Sequence, residues 1–206
     1  MSREQFLRRV REATGRDPKA PISLPPLPPA PSTPREVGEL VERFRLEQEA
    51  VLGRVHVVRS NTEARATLRA VLEGAKTYIR SPHALIDDAG LEEVVRELGL
   101  RAAPAADADV GITGCEFAVA ATGSVALSSV WGRLAALLPP HHVVVLEASQ
   151  LVYDINDAYL LIEQQELPGA WGMHTGPSRS ADIEQTMALG VHGPGRVDVI
   201  VLWRDE

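Results

Sequence analysis

Hydroxyls, a guanidinium and an imidazole crowd into one stretch near the carboxyl end of the chain, Thr175 to Gly195. Gly176-Pro177 breaks whatever precedes it, and Ser178, Arg179 and Ser180 follow at once. If a helix starts there, those residues sit beside free backbone N–H groups at a positive dipole end. Thr175, Gly176, Ser178, Arg179 and Ser180 would then suit a phosphate or carboxylate, with the arginine offering a two-pronged contact. The plainer reading is that Ser178 or Ser180 caps the helix while Arg179 is solvated, with Asp182 and Glu184 already supplying negative charge. A second turn, Gly193-Pro194-Gly195-Arg196, lies beyond Leu189-Gly190, which reads as a helix end with a glycine stop. A helix of roughly ten residues would hold the two turns about 15 Å apart. His192, between Gly190 and Gly193, suits an acid/base or an anion contact, or else a turn histidine bonded to a backbone carbonyl. The three glycines are no dinucleotide fingerprint, because they precede a strand where that motif must follow one.

A second candidate region runs from Gly111 to Ser129. Gly114 permits close approach of a ligand or backbone, and Glu116 could act as base or carboxylate nucleophile, or stand as a solvated residue at a helix start. Gly123-Ser124 forms another loop beside a strand. Cys115 suits a small buried core position better than a reactive thiol. His141, His142, His174 and His192 lack His-x-x-x-His spacing, and no Cys-x-x-Cys exists, so no metal site is expected.

The segments Gly176-Pro177-Ser178-Arg179-Ser180-Ala181-Asp182-Ile183-Glu184 and Gly190-Val191-His192-Gly193-Pro194 resemble the closing signature of the LUD domain family, lactate utilisation protein C type. Gly111-Ile112-Thr113-Gly114 through Ala120-Ala121-Thr122-Gly123-Ser124 is similar to the family's other marked region. The resemblance extends from about Thr33 to Trp203. Ser180 stands where the family pattern has threonine, which keeps the hydroxyl; Ala121 stands where it has an acidic residue, which does not. The resemblance implies a fold akin to pentose phosphate isomerases, glucosamine phosphate deaminases and CoA transferases. It also implies a subunit of a lactate oxidation system working with iron–sulfur proteins.

The elements that must position these residues are legible from periodicity. Thr33-Pro34-Arg35-Glu36 reads as a capping box opening a helix with Val37, Leu40, Val41 and Phe44 buried. A strand at 55–58, a helix capped by Ser60, a strand at 77–80 and a helix ended by Gly99 follow. The next predicted elements are a strand at 109–113, a short apolar helix at 115–121 and a strand at 124–129. Beyond them come a strand at 143–146, a helix striped by Leu151, Ile155, Ala158 and Ile162, and strands at 171–174 and 197–203. About seven strands alternating with helices predict an α/β layer fold with a mostly parallel sheet, whose ligands bind beyond the carboxyl ends of strands.

At 206 residues and 45% hydrophobic, the chain can bury a sizeable core. No run approaches the ~18 apolar residues of a membrane span, and no secretory signal is visible, so cytoplasmic residence is expected. One cysteine cannot make a disulfide or hold an iron–sulfur cluster. A net charge of −7 offers no footprint for nucleic acid. Residues 1–19 carry +3 and the remainder −10. Phe6, Leu7, Val10 and Ala13 share one helical face, and eight of the fifteen prolines lie between Pro18 and Pro34. The division expected is therefore an arm, 1–32, for docking onto a partner or a second copy, and a domain, 33–206.

Three functions fit. The first is the non-redox lactate utilisation subunit, binding a small anionic ligand. The second is a stand-alone enzyme on a phosphorylated, acyl-CoA or folate-like substrate with Glu116 at its centre. The third is a regulatory module that senses an organic acid.

Overall fold

Two runs of consecutive apolar residues, Val143–Leu146 and Val199–Leu202, need covering on both faces, and the fold is arranged to cover them. The structure, a computed structural model, describes residues 2–15, 35–164, 168–181 and 187–204. Its elements in order are α1 (Arg3–Thr14), α2 (Val37–Ala50), β1 (Arg54–Val58), α3 (Asn61–Leu72), β2 (Thr77–Arg80), α4 (Ala84–Asp88) and α5 (Leu91–Leu98). Then come β3 (Arg101–Ala102), β4 (Val110–Thr113), β5 (Phe117–Val119), β6 (Ser124–Ser128), α6 (Leu134–Leu137), β7 (His141–Glu147) and β8 (Leu151–Val152). The chain closes with α7 (Ile155–Glu163), β9 (Trp171–His174), β10 (Arg179–Ala181), β11 (Met187–Leu189) and β12 (Arg196–Leu202).

Six strands form one parallel sheet in the order β1-β12-β7-β4-β2-β3, as expected for an α/β protein. Side chains alternate across it. Val143, Val145, Ile200 and Leu202 face Leu68, Leu72, Ile86, Leu91 and Val94 of α3, α4 and α5. Val144, Leu146, Val199 and Val201 face Leu40 and Phe44 of α2 and the apolar side of a second sheet. That second sheet has four strands in the order β8-β5-β6-β9, with α7 packed against it through Ala158.

Local signals place several elements where expected. Ser60 accepts the Glu63 N–H and starts α3, and Gly99 ends α5 in the left-handed conformation. Four expectations fail. Residues 115–121 are not helical: Phe117–Val119 is β5, whose backbone groups pair with β6 and β8. The predicted helix after Ser180 is replaced by the antiparallel pair β10–β11, with 182–186 outside the described residues. Leu151 belongs to β8 rather than to the helical stripe. Helix α2 begins at Val37 after an extended Glu36, so Arg35 and Glu36 are not in its first turn; Thr33 and Pro34, like the proline-rich stretch 18–34, lie outside the described residues. Among the described residues no helix is long and apolar enough to cross a membrane.

Candidate functional site

Replacing the expected helix by a strand pair brings the two Gly-Pro turns together instead of holding them apart. The Ser178 N–H donates to the Pro194 carbonyl (2.8 Å), and the Gly190 N–H donates to the Ser178 carbonyl (2.9 Å). The second turn is pinned to the start of β7, because Gly195 and Arg196 both donate to the Pro140 carbonyl. The first turn follows β9, which pairs with β6 so that Val125 stands opposite His174. This register sets the Ser124 hydroxyl 2.6 Å from that of Thr175, with Thr122 adding a third hydroxyl 2.7 Å from Ser124. Gly123 turns the chain into β6 at φ +66°, and its carbonyl accepts from the buried Gln48 amide at 2.5 Å.

Between these turns lies a cavity of 240 Å³ whose walls include His142, His174, Thr175, Ser178, His192 and Val197. Gly176 also lines it, while Ser124 supports Thr175 from behind. His142 and Val197 are the second residues of β7 and β12. The cavity therefore opens at the amino ends of the parallel strands, not beyond their carboxyl ends. Residues 175–180 do not start a helix, so no helix dipole serves an anion there, and the Ser178 N–H is already bonded. Arg179 is exposed on β10 opposite Leu189, and neither it nor Ser180 is among the cavity walls.

His142, which no motif marks in the sequence, is one of these cavity walls. It is fully buried, with Nε2 2.9 Å from the Thr113 hydroxyl. Burial, with smaller contributions from His174 and His141, pushes its pKa down to about 3. Burial and the Arg133 charge lower His174 as well. Both imidazoles are thus neutral at neutral pH. They can offer the cavity one N–H or one lone pair each, not a positive charge.

Glu116 and Gly114 stand elsewhere, at the carboxyl end of β4. The Ser128 hydroxyl donates to Glu116 at 2.5 Å. Ser128 is four residues along β6 from Ser124, about 13 Å, so Glu116 does not join the Thr175 group. The approach that Gly114 permits is that of the His83 ring: a Cβ at Gly114 would fall inside it. Cys115 is fully buried, and burial with the Glu116 charge raises its thiol pKa, which leaves it unreactive. A separate cavity of 380 Å³ on this edge includes Glu147, Ser149, Trp203 and Arg204. There the Arg204 guanidinium lies 3.2 Å from Glu147 and donates to Asn61.

A third cluster centres on Asp198. Asp198, 0% exposed, takes His56 Nε2 at 2.8 Å, His141 Nε2 at 2.9 Å and Arg196 Nε at 2.7 Å. Burial alone would raise its carboxyl pKa, but the hydrogen bonds from His141, His56 and Arg196 and the Arg196 charge hold it well below the carboxylate range. The signal was present: an aspartate inside the apolar run Val197–Leu202 must find partners. Among the described residues no group of three or more His, Cys, Asp or Glu is placed to hold a metal ion.

A family model for the LUD domain matches residues 41–202, which include both marked segments. The chain belongs to the LUD domain family. Lactate utilization protein C of Anoxybacillus flavithermus is 28% identical over 217 residues, covering 97% of this chain and 98% of the relative. Its namesake in Exiguobacterium sp. is also 28% identical, covering 98% and 96%. That of Shouchella clausii reaches 39% over 101 residues, 46% of this chain and 44% of the relative. Among solved structures, a DUF162 family protein from Deinococcus radiodurans superposes with a TM-score of 0.57 at 21% identity, covering 82% of this chain and 99% of that one. At that identity the likeness concerns the fold. In this LUD domain the two marked segments are brought together where Ser124 meets Thr175, the residue just before Gly176.

Proposed function

We propose that this LUD-domain chain is a non-redox subunit of a cytoplasmic lactate-oxidising system, and that it holds a small anionic ligand of the 2-hydroxy or 2-oxo acid class between its two Gly-Pro turns. The observation that carries this reading is the convergence of Thr175, Ser178 and His192 on one cavity, with Ser124 of the other family segment behind it. The names of the relatives supply the pathway. Oxidising lactate to pyruvate releases two electrons and two protons. The single thiol in these 206 residues is buried, so the chain has no thiolate set for an iron–sulfur cluster and the electrons pass to partner proteins that have one. Hydroxyls and neutral imidazoles suit a small carboxylate with a polar substituent at C2, which accepts from donors at two neighbouring positions.

The test is calorimetric titration of the purified chain with L-lactate and with pyruvate, repeated on Thr175→Val. Loss of one hydroxyl to the ligand should weaken binding by about 1 to 1.5 kcal/mol, roughly tenfold. Absence of binding by either acid at millimolar concentration, or equal affinity in the variant, would refute the site. Recovery of iron–sulfur proteins with the native chain from its own cells tests the partner assignment separately.

A second reading rests on Glu116, half-buried at the carboxyl edge of β4 and held by Ser128. It makes the chain a self-sufficient enzyme on a phosphorylated, acyl-CoA or folate-like substrate. Turnover by the pure chain, abolished in Glu116→Gln, would favour it; no turnover across such a panel removes it.

A further inference from the structure

Helix α1 is built to persist but left without cover. Ser2 and Gln5 form a reciprocal capping box and Gly15 closes the far end, yet none of its twelve residues is buried. Phe6 is 52% and Val10 41% exposed, one turn apart on the same face. A helix of this length is marginal in water unless something covers its apolar side. Its charge is +2, from Arg3, Arg8, Arg9 and Arg11 against Glu4 and Glu12.

Helix α7 shows the complementary pattern. Ala158 turns inward to the second sheet, while Ile155 and Tyr159, again one turn apart, are 38% and 52% exposed on the outer side. With its cap, α7 carries Asp154, Asp157 and Glu163 and no basic residue, a charge of −3. Another exposed apolar patch, Val130, Leu134 and Leu138 around α6, brings Arg133 instead, the wrong sign for a basic helix.

We propose that α1 of one copy docks across α7 of a second copy, pairing Phe6 and Val10 with Ile155 and Tyr159, and that the exchange is reciprocal in a two-fold dimer. No residue of α1 is buried among the described residues, which leaves its apolar face for another copy. The nineteen residues between Gly15 and Arg35 allow a reach of up to ~70 Å, ample for crossing to a neighbour. A reciprocal exchange makes two helix pairs per dimer, so two weak contacts act together and the assembly closes rather than growing into a filament.

Sedimentation of the full chain should show a reversible dimer that weakens as salt is raised from 50 to 500 mM. Phe6→Asp and Tyr159→Asp should each weaken it about tenfold or more; at a concentration where wild type and variants are all monomeric the melting temperature should be unchanged, since both side chains are exposed. The occupant is decided by mixing a Val10→Cys chain with a Tyr159→Cys chain under mild oxidation, the native Cys115 being buried. A disulfide-linked dimer bearing one chain of each kind supports the exchange. The proposal is overturned if a chain carrying both Val10→Cys and Tyr159→Cys cross-links only within itself, which means docking on the chain's own α7. It is equally overturned by a cross-link to Leu134→Cys instead, by none at all, or by a chain that stays monomeric.

Discussion

Acidification should weaken this protein through His142, by an amount that follows from how the imidazole is held. In the unfolded chain that group titrates at its ordinary 6.5; in the folded protein burial pushes it to about 3. Between those values the unfolded chain binds a proton that the folded one refuses. Stability is therefore complete above about pH 6.5 and declines as pH falls toward 3, by ~1.4 kcal/mol for each pH unit. At pH 5 the loss from this residue is about 2 kcal/mol, a large share of the ~5 to 15 kcal/mol that holds a domain folded. His174 acts in the same direction. Asp198, whose pKa is depressed, contributes stability that is lost only below the unfolded carboxylate value near 4, so the range from pH 7 to 4.5 reports the histidines. The measurement is urea unfolding of the wild type and of His142→Gln at several pH values in that range. The variant starts less stable at pH 7, because it loses packing and the Thr113 contact. The gap should narrow by about 2 kcal/mol at pH 5, since glutamine has no proton to gain. A gap that stays constant across the range would mean that His142 protonates normally in the folded state, and the buried contact with Thr113 would be wrong.

Three other outcomes are expected. Asp198→Asn, which leaves Arg196 and two histidines around a neutral amide, should lower stability by about 3 to 5 kcal/mol in thermal unfolding. Gly114→Ala should destabilise by about 1 to 3 kcal/mol, because the new methyl meets the His83 ring; adding His83→Ala makes room, so the double variant should lose less than the two single losses combined. Arg179→Ala, altering an exposed side chain on β10, should change lactate affinity less than Thr175→Val does in the same titration.

The parallel sheet was legible because its strands are buried on both faces. Val143–Leu146 and Val199–Leu202 are apolar without alternation, which suits only a strand covered from both sides. Helices α3 and α5 were legible from Ser60, Gly99 and the stripes between. Residues 115–121 misled because alanine favours a helix locally, whereas β6 and β8 offer that segment a complete set of backbone partners. The stretch after Ser180 misled in the same way. Its acidic start and the glycine after Leu189 fit a helix, yet Arg179–Ala181 and Met187–Leu189 bond to each other.

From its residues alone, this chain determined its α/β class, the Ser60 cap that starts α3 and the Gly99 stop that ends α5, the lone thiol and the two segments that mark its family. These depend on neighbours within a few positions, where periodicity, glycine and proline act directly. The tertiary structure decided which of those residues meet. Ser124 reaches Thr175, and His56 and His141 share Asp198, through strand registers that join positions 51 to 142 residues apart. It also decided that the cavity opens at the amino ends of the parallel strands, because β10 and β11 pair with each other and draw both Gly-Pro turns to the start of β7. Nothing within a short window of sequence encodes such a pairing; it is settled by which backbone groups remain to be satisfied once the sheet is built.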